Sequence, residues 1–190
     1  MSKIAVIIGS SRPARIGGQI TDWVVENLPK SDDVMYEIID LAEWNLPFFD
    51  EDKSPQSARP VKEHSKKWGA FIDGFQGLVV VTPEYNAGYP AVLKNALDYL
   101  KPELKDKPSL VVSYGWDGGL GANKQLQEVL ARIGTMATET NPSLAFDPSM
   151  WDESGKIIDV DATYGAHAPQ IHKGGEELIA LLPELVVETA

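Results

Sequence analysis

Short, continuously apolar runs alternate along the chain with longer stretches of helical spacing. The runs are KIAVII at 3–8, VMYEII at 34–39, GLVVVT at 77–82 and SLVVS at 109–113. Each is too short for an ordinary helix and most are rich in β-branched residues, so each is read as a strand, the first of them buried on both faces. Between them, Ile20, Trp23, Val24 and Leu28 recur at helical spacing over 17–28, with Pro29 as a stop. Pro60 is expected to open a second helix with Val61, Trp68, Phe71, Ile72 and Phe75 on one side. Pro90 opens a third, turning Val92, Leu93, Ala96, Leu97 and Leu100 inward. Leu120, Leu126, Val129, Leu130 and Ile133 mark a fourth over 119–133, and TMATE at 135–139 reads as a short fifth strand. The tail GGEELIALLPELVV is expected to be a last helix, interrupted near Pro183.

Alternation of this kind calls for a parallel sheet covered by helices on both faces. Right-handed crossovers reduce the arrangement to a few doubly wound topologies. The 190 residues suffice for one such domain, 1–190, with the polar stretch 50–60 as a loop and not a boundary. No apolar stretch approaches the roughly 20 residues that span a bilayer, and the first residues lack a signal-peptide pattern, so a cytoplasmic location is expected. The chain has no cysteine, which excludes disulfides, thiolate metal sites and cysteine nucleophiles. A net charge of −11 argues against binding to nucleic acid or anionic membrane. Two arginines in one turn of so acidic a chain therefore draw attention.

That turn is GSSRPARIGG, directly after the first strand. In a doubly wound sheet, ligands bind beyond the carboxyl ends of the strands. Two more strand exits, TPEYNAGYP and SYGWDGGLGAN, fall on the same edge. The dinucleotide fingerprint is absent because Ser11 stands at its second glycine, and no Gly-Lys-Ser/Thr of a Walker loop follows. The turn is compatible with a solvated reversal. Its residues and its place favour a socket for one phosphate: hydroxyls at Ser10 and Ser11, guanidinium groups at Arg12 and Arg15, and a helix start near Gly17.

GSSRPARIGGQITDW followed by TPEYNAGYPAVLKNALDYL resembles the NADPH-dependent FMN reductases of the flavodoxin-like superfold. DLAEWNLPFFDE and SYGWDGGLGANKQLQEVLARIG follow the family pattern in order and spacing, so the resemblance spans roughly 3–160. It implies a five-stranded parallel sheet of order 2-1-3-4-5, with FMN as cofactor and NADPH or NADH as reductant. It also implies that Ser10, Arg12 and the amides toward Gly17 hold the FMN phosphate, with Arg15 assisting or facing elsewhere. Pro83, Glu84, Tyr85 and Asn86 would run along the flavin ring edge, their amides donating to its carbonyls and near N5. Ser113, Gly115, Gly118 and Gly119 would close the other side. The flavin carries the chemistry, so no catalytic side chain and no metal site is expected. The acceptor would be a small molecule, such as free flavin, a quinone, an azo compound or a metal oxyanion, reduced by a ping-pong mechanism. Alternatives are a flavodoxin-like electron carrier with protein partners and a non-redox flavin-binding protein.

Several residues carry two readings. Glu84 is a positioning residue before it is a base. Lys94 and Asp98 form an i, i+4 surface pair. Trp23 and Trp68 belong to the core. Trp116 interrupts a glycine-rich loop and either stacks on a ligand or packs. His167 and His172 lack partners at ligand spacing. Asp152, Glu153 and Gly155 read as a turn, and 164–175 as a lid, arm or linker. Leu93, Leu97 and Tyr99 are expected to divide between the core and a neighbouring subunit, giving a homodimer or homotetramer.

Overall fold

The computed structural model describes residues 1–183. Parallel strands β1 (Ser2–Ile8), β2 (Val34–Asp40), β3 (Gly77–Pro83) and β4 (Pro108–Gly115) lie in the order β2-β1-β3-β4-β5. The fifth position is split: β5 (Met136–Ala137) pairs with the start of β4 and β6 (Ser143–Ala145) with its end, so the sheet has six strands where five were expected. Asn141 explains the break. Its Oδ1 accepts the Val111 amide at 2.8 Å, so a side chain replaces the backbone acceptor that a continuous strand would offer.

Successive residues of the central strands point to opposite faces. Val79 and Val81 join Ile4, Val6, Leu110 and Val112 on one face, beneath Ile20, Trp23 and Val24 of α1 (Gly17–Asn27), Tyr164 of α6 (Val160–Tyr164) and Ile171 and Leu178 of α7 (Ala168–Ala180). Leu78 and Val80 join Ala5, Ile7 and Val111 on the other, with Leu41 of α2 (Leu41–Trp44), Trp68 and Ile72 of α3 (Glu63–Asp73), Leu93 and Leu97 of α4 (Ala91–Asp98) and Leu126 of α5 (Leu120–Ile133). Trp23 and Trp68 are both core residues, and each indole N–H finds an acceptor: Asp161 Oδ1 at 3.1 Å and the Ala96 carbonyl at 2.8 Å.

The helix expected from Pro60 begins only at Glu63. Before it, the amides of Val61 and Lys62 donate to the Glu51 carboxylate, which fixes an extended entry and leaves Val61 65% exposed. Leu93, Leu97 and Tyr99 all enter one core and are no more than 2% exposed, which removes the argument that part of α4 must face a neighbour. The Tyr99 hydroxyl lies beside Asp50 at 3.1 Å, so its polar end is satisfied within the chain. The stretch 164–175 folds as the end of α6, a 3₁₀ turn at Gly165–His167 and the first half of α7. Gly174 lets α7 approach the sheet; a methyl there would stand 2.8 Å from Leu110. The last helix thus starts earlier than expected, and the part expected over 184–187 lies outside the described residues.

Candidate active site

The loops leaving β1, β3 and β4 converge on a cleft of about 520 Å³ at the carboxyl edge of the sheet. The first loop runs from Gly9 to α1. Helix α1 starts at Gly17 with no capping side chain and no acidic residue in its first turn, so its positive end is left to an outside partner. Ser10 is fully buried and its Oγ makes no hydrogen bond of good geometry. A buried hydroxyl without a partner is uncommon and calls for an explanation. The Ser10 and Tyr114 hydroxyls both face the start of α1, since a methyl on Gly17 would stand 2.8 and 2.9 Å from them. Burial pushes the Tyr114 phenol up to about 12, opposed by the Ser10 hydroxyl and by Arg12 and Arg15, so it remains a proton donor near neutrality.

The two arginines separate. Arg15 lines the cleft, but its guanidinium grips both oxygens of Asp40, at 2.6 and 2.5 Å, and also donates to the Ser10 carbonyl. It braces the loop against the end of β2. Arg12 is exposed, makes no ion pair among the described residues, and lies over the Tyr85 ring at 5.9 Å. Arg12 is therefore the arginine available to an anion.

The second loop is a tight reversal. Tyr85 and Gly88 exchange backbone hydrogen bonds at 2.7 and 3.1 Å, and the two residues between them are left-handed, Asn86 at φ 52° and Ala87 at φ 64°. Positive φ at both central positions is the type I′ pattern. The Asn86 and Ala87 amides make no hydrogen bond among the described residues. Pro83 ends β3, and the Glu84 amide donates to the Tyr114 carbonyl at 3.0 Å. The Glu84 carboxylate accepts the Ala122 amide in the first turn of α5 at 3.1 Å, and Gln125 of α5 donates to the Ala87 carbonyl at 2.8 Å. Glu84 thus positions the turn by satisfying one of the open amides of α5.

The third loop divides. Gly115, Trp116 and Asp117 line the cleft. Ser113, Gly118 and Gly119 stand behind its wall: the Ser113 hydroxyl donates to the Gly118 carbonyl at 2.7 Å and receives Asn123 Nδ2 at 3.0 Å. Gly118 and Gly119 are left-handed, at φ 73° and 71°, and fold the chain into α5. Their smallness serves the turn and not the space for a ring.

The cleft also uses residues that the sequence reading missed. Ile16, Ala87, Tyr114 and Asp117 neighbour predicted positions, so extending each motif by one residue would have found them. Phe146, Trp151 and Gly155 come from beyond the split fifth strand. Asp152, Glu153 and Gly155 do form a turn, closed by Asp152 N–H to the Lys156 carbonyl at 2.9 Å. The turn docks on the first loop: Gln19 bonds both backbone groups of Ile157, at 2.9 and 3.2 Å, and Lys156 donates to the Arg15 carbonyl at 2.7 Å. His172 lies 3.6 Å from Glu176, and the described residues contain no cluster of three or more potential metal ligands.

The family model for NADPH-dependent FMN reductases matches residues 2–148. The chain belongs to this family. Membership makes it an oxidoreductase that works with FMN and a nicotinamide nucleotide. The reductase is 44% identical over 181 residues to an NAD(P)H-dependent FMN reductase of Schizosaccharomyces pombe, covering 94% of this chain and 90% of that one. Among solved structures it resembles FerB, a flavoenzyme NAD(P)H:(acceptor) oxidoreductase from Paracoccus denitrificans, with a TM-score of 0.73 at 19% identity over 96% of this chain and 100% of that one. It also resembles flavodoxin 1 from Bacillus cereus, with a TM-score of 0.57 at 14% identity over 96% of this chain and 100% of that one. These two likenesses support a flavodoxin-like fold. No helix among the described residues is long and apolar enough to cross a membrane.

Proposed function

We propose that the protein passes electrons from NAD(P)H to a small acceptor by a ping-pong mechanism at this one cleft. The observation that carries the reading is the Ser10 hydroxyl, buried at the uncapped start of α1 beside the Tyr114 hydroxyl and without a hydrogen bond of good geometry. A terminal phosphate fits there, because it would accept from Ser10, from the first amides of α1 and from Arg12. When bound, FMN would supply two-electron redox chemistry between a nicotinamide and the acceptor.

The residues of the chain bind and orient. Arg15 and Asp40 hold the phosphate loop in shape. Glu84 and Gln125 fix the Asn86–Ala87 turn, whose free amides would donate to the polar edge of the flavin ring. Gly115 would allow close approach beside them. Reductant and acceptor would occupy the cleft in turn, and no side chain has to accept a proton in the hydride step. The acceptor class includes free flavin, quinones, azo compounds and metal oxyanions. We place the enzyme in the cytoplasm, as one domain, and as a homodimer or homotetramer. Phe48 supports assembly: it is 84% exposed on a backbone that Asn95 holds from both sides, a fixed apolar projection suited to an interface.

The test is anaerobic mixing of the purified yellow protein with NADPH. The visible flavin absorbance should bleach before any acceptor is added, and initial rates at several acceptor concentrations should give parallel double-reciprocal lines. No bleaching within seconds at saturating NADPH or NADH would reject the reading in favour of an electron carrier.

A further inference from the structure

Trp116 is the one large apolar side chain in the turn between Gly115 and Gly119, and it is 66% exposed. It lines the cleft with one side of its ring packed: Phe146 meets it edge-on, with centroids 5.5 Å apart and planes at 83°. Phe146 is held in turn by Trp151, at 5.1 Å and 80°. Trp151 belongs to the turn that Gln19 and Lys156 fasten to the first loop. The indole is therefore braced through a chain of rings anchored in the scaffold, and its orientation is set before anything binds.

A braced aromatic face open to a cleft offers stacking to any flat π-system, whatever its substituents. We propose that Trp116 is a specificity-determining residue, which selects planar acceptors of about two fused rings over non-planar ones. The proposal rests on the reductase reading above. For a naphthoquinone the balance is quinone plus NADPH plus H⁺ giving hydroquinone plus NADP⁺. Hydride equivalents come from NADPH and the second proton from solvent.

The test compares wild type, Trp116→Ala and Trp116→Phe as holoenzymes. Acceptors are 2-methyl-1,4-naphthoquinone, which is flat and neutral, and ferricyanide, which is neither. Trp116→Ala should raise KM for the naphthoquinone about tenfold, equivalent to about 1.4 kcal/mol, and by clearly more than it raises KM for ferricyanide. Trp116→Phe should restore most of the loss. Calorimetric binding of 2-naphthol, flat and redox-inert, should weaken about tenfold in Trp116→Ala. Equal KM increases for both acceptors, or an unchanged naphthoquinone KM, would overturn the proposal. So would unchanged 2-naphthol affinity. Absence of NADPH turnover in wild type with either acceptor would sink the reductase reading instead, and the 2-naphthol measurement would still decide the role of Trp116.

Discussion

Gly17 and Gly18 are adjacent in the first turn of α1, yet a methyl group added to each meets opposite surroundings. At Gly17 it would stand 2.8 Å from Ser10 Oγ, 2.9 Å from Tyr114 Oη and 3.1 Å from Ile8 Cγ2. All three are closer than the roughly 3.5–4.0 Å of an unstrained carbon contact. All three belong to buried residues with little room to retreat, and overpacking of this kind costs about 1–3 kcal/mol. At Gly18 nothing lies within 4 Å, so alanine should gain up to about 0.5–1 kcal/mol of helix propensity. For a chain of this length each kcal/mol moves Tm by roughly 2–4 °C. Gly18→Ala should therefore melt up to a few degrees higher and Gly17→Ala several degrees lower, both measured without flavin so that ligand stabilisation does not enter. Gly17→Ala should also displace the Ser10 hydroxyl and weaken FMN more than riboflavin, measured by quenching of flavin fluorescence on binding to the apoprotein. Equal melting of the two variants, or undiminished FMN affinity in Gly17→Ala, would refute the assignment of the α1 start as the phosphate socket.

Arg12→Ala should weaken FMN by about 1.5–3 kcal/mol, the scale of charged hydrogen bonds, and leave riboflavin unchanged; an equal loss for both would point to a different role. Alkaline stability should follow the buried phenols. Burial raises Tyr114 and Tyr36 from 10.0 to about 12 in the folded chain, so the native state keeps protons that the unfolded chain releases. The unfolding free energy should be insensitive to these groups below pH 10 and fall between about 10 and 12; a flat profile there, from urea titrations, would contradict this burial. Ala87→Gly should stabilise the apoprotein by up to about 1 kcal/mol, because Ala87 holds a left-handed backbone that glycine adopts without strain. A clear drop in Tm would show that the methyl packs in a way that outweighs the strain.

Strands β1, β3 and β4 were legible because each is buried on both faces, which writes an apolar run that no surface helix shares; β2, at the sheet edge, is less covered, with Met35 37% and Ile38 41% exposed. The fifth strand was legible in TMATE, where β5 forms, but β6 was not, because Asn141 completes the ladder with a side chain and leaves a polar sequence across the break. Pro60 misled for a related reason. A proline near an apolar series suggests a helix start, but Glu51, ten residues away in sequence, captures the amides of Val61 and Lys62 and delays the helix. Leu93, Leu97 and Tyr99 seemed too many for one core because Tyr99 lies off the helix face that Leu93 and Leu97 share. Residues 47–50 and α3 wrap α4 on that side, so the ring and both leucines are covered. At the cleft, the loops were readable from residue types, while the division of labour within them was not. Arg12 and Arg15 are indistinguishable in sequence; Asp40, at the end of another strand, separates them.

That separation shows how the edge is organised. A site that positions a planar group needs donors that do not move, yet its backbone lies in loops, which lack a ladder of their own. Here each loop is held by the element that follows another. The second loop is fixed by Glu84 and Gln125 against α5, which the third loop starts. The first is fixed by Arg15 against the end of β2 and by Lys156 and Gln19 against the last turn of the cleft. Glu84 illustrates the consequence. Its carboxylate is engaged by the Ala122 amide in the first turn of α5. Its place in the cleft is thus that of a tie, and substitution there should be felt through the geometry of the Asn86–Ala87 amides and not through the loss of a base.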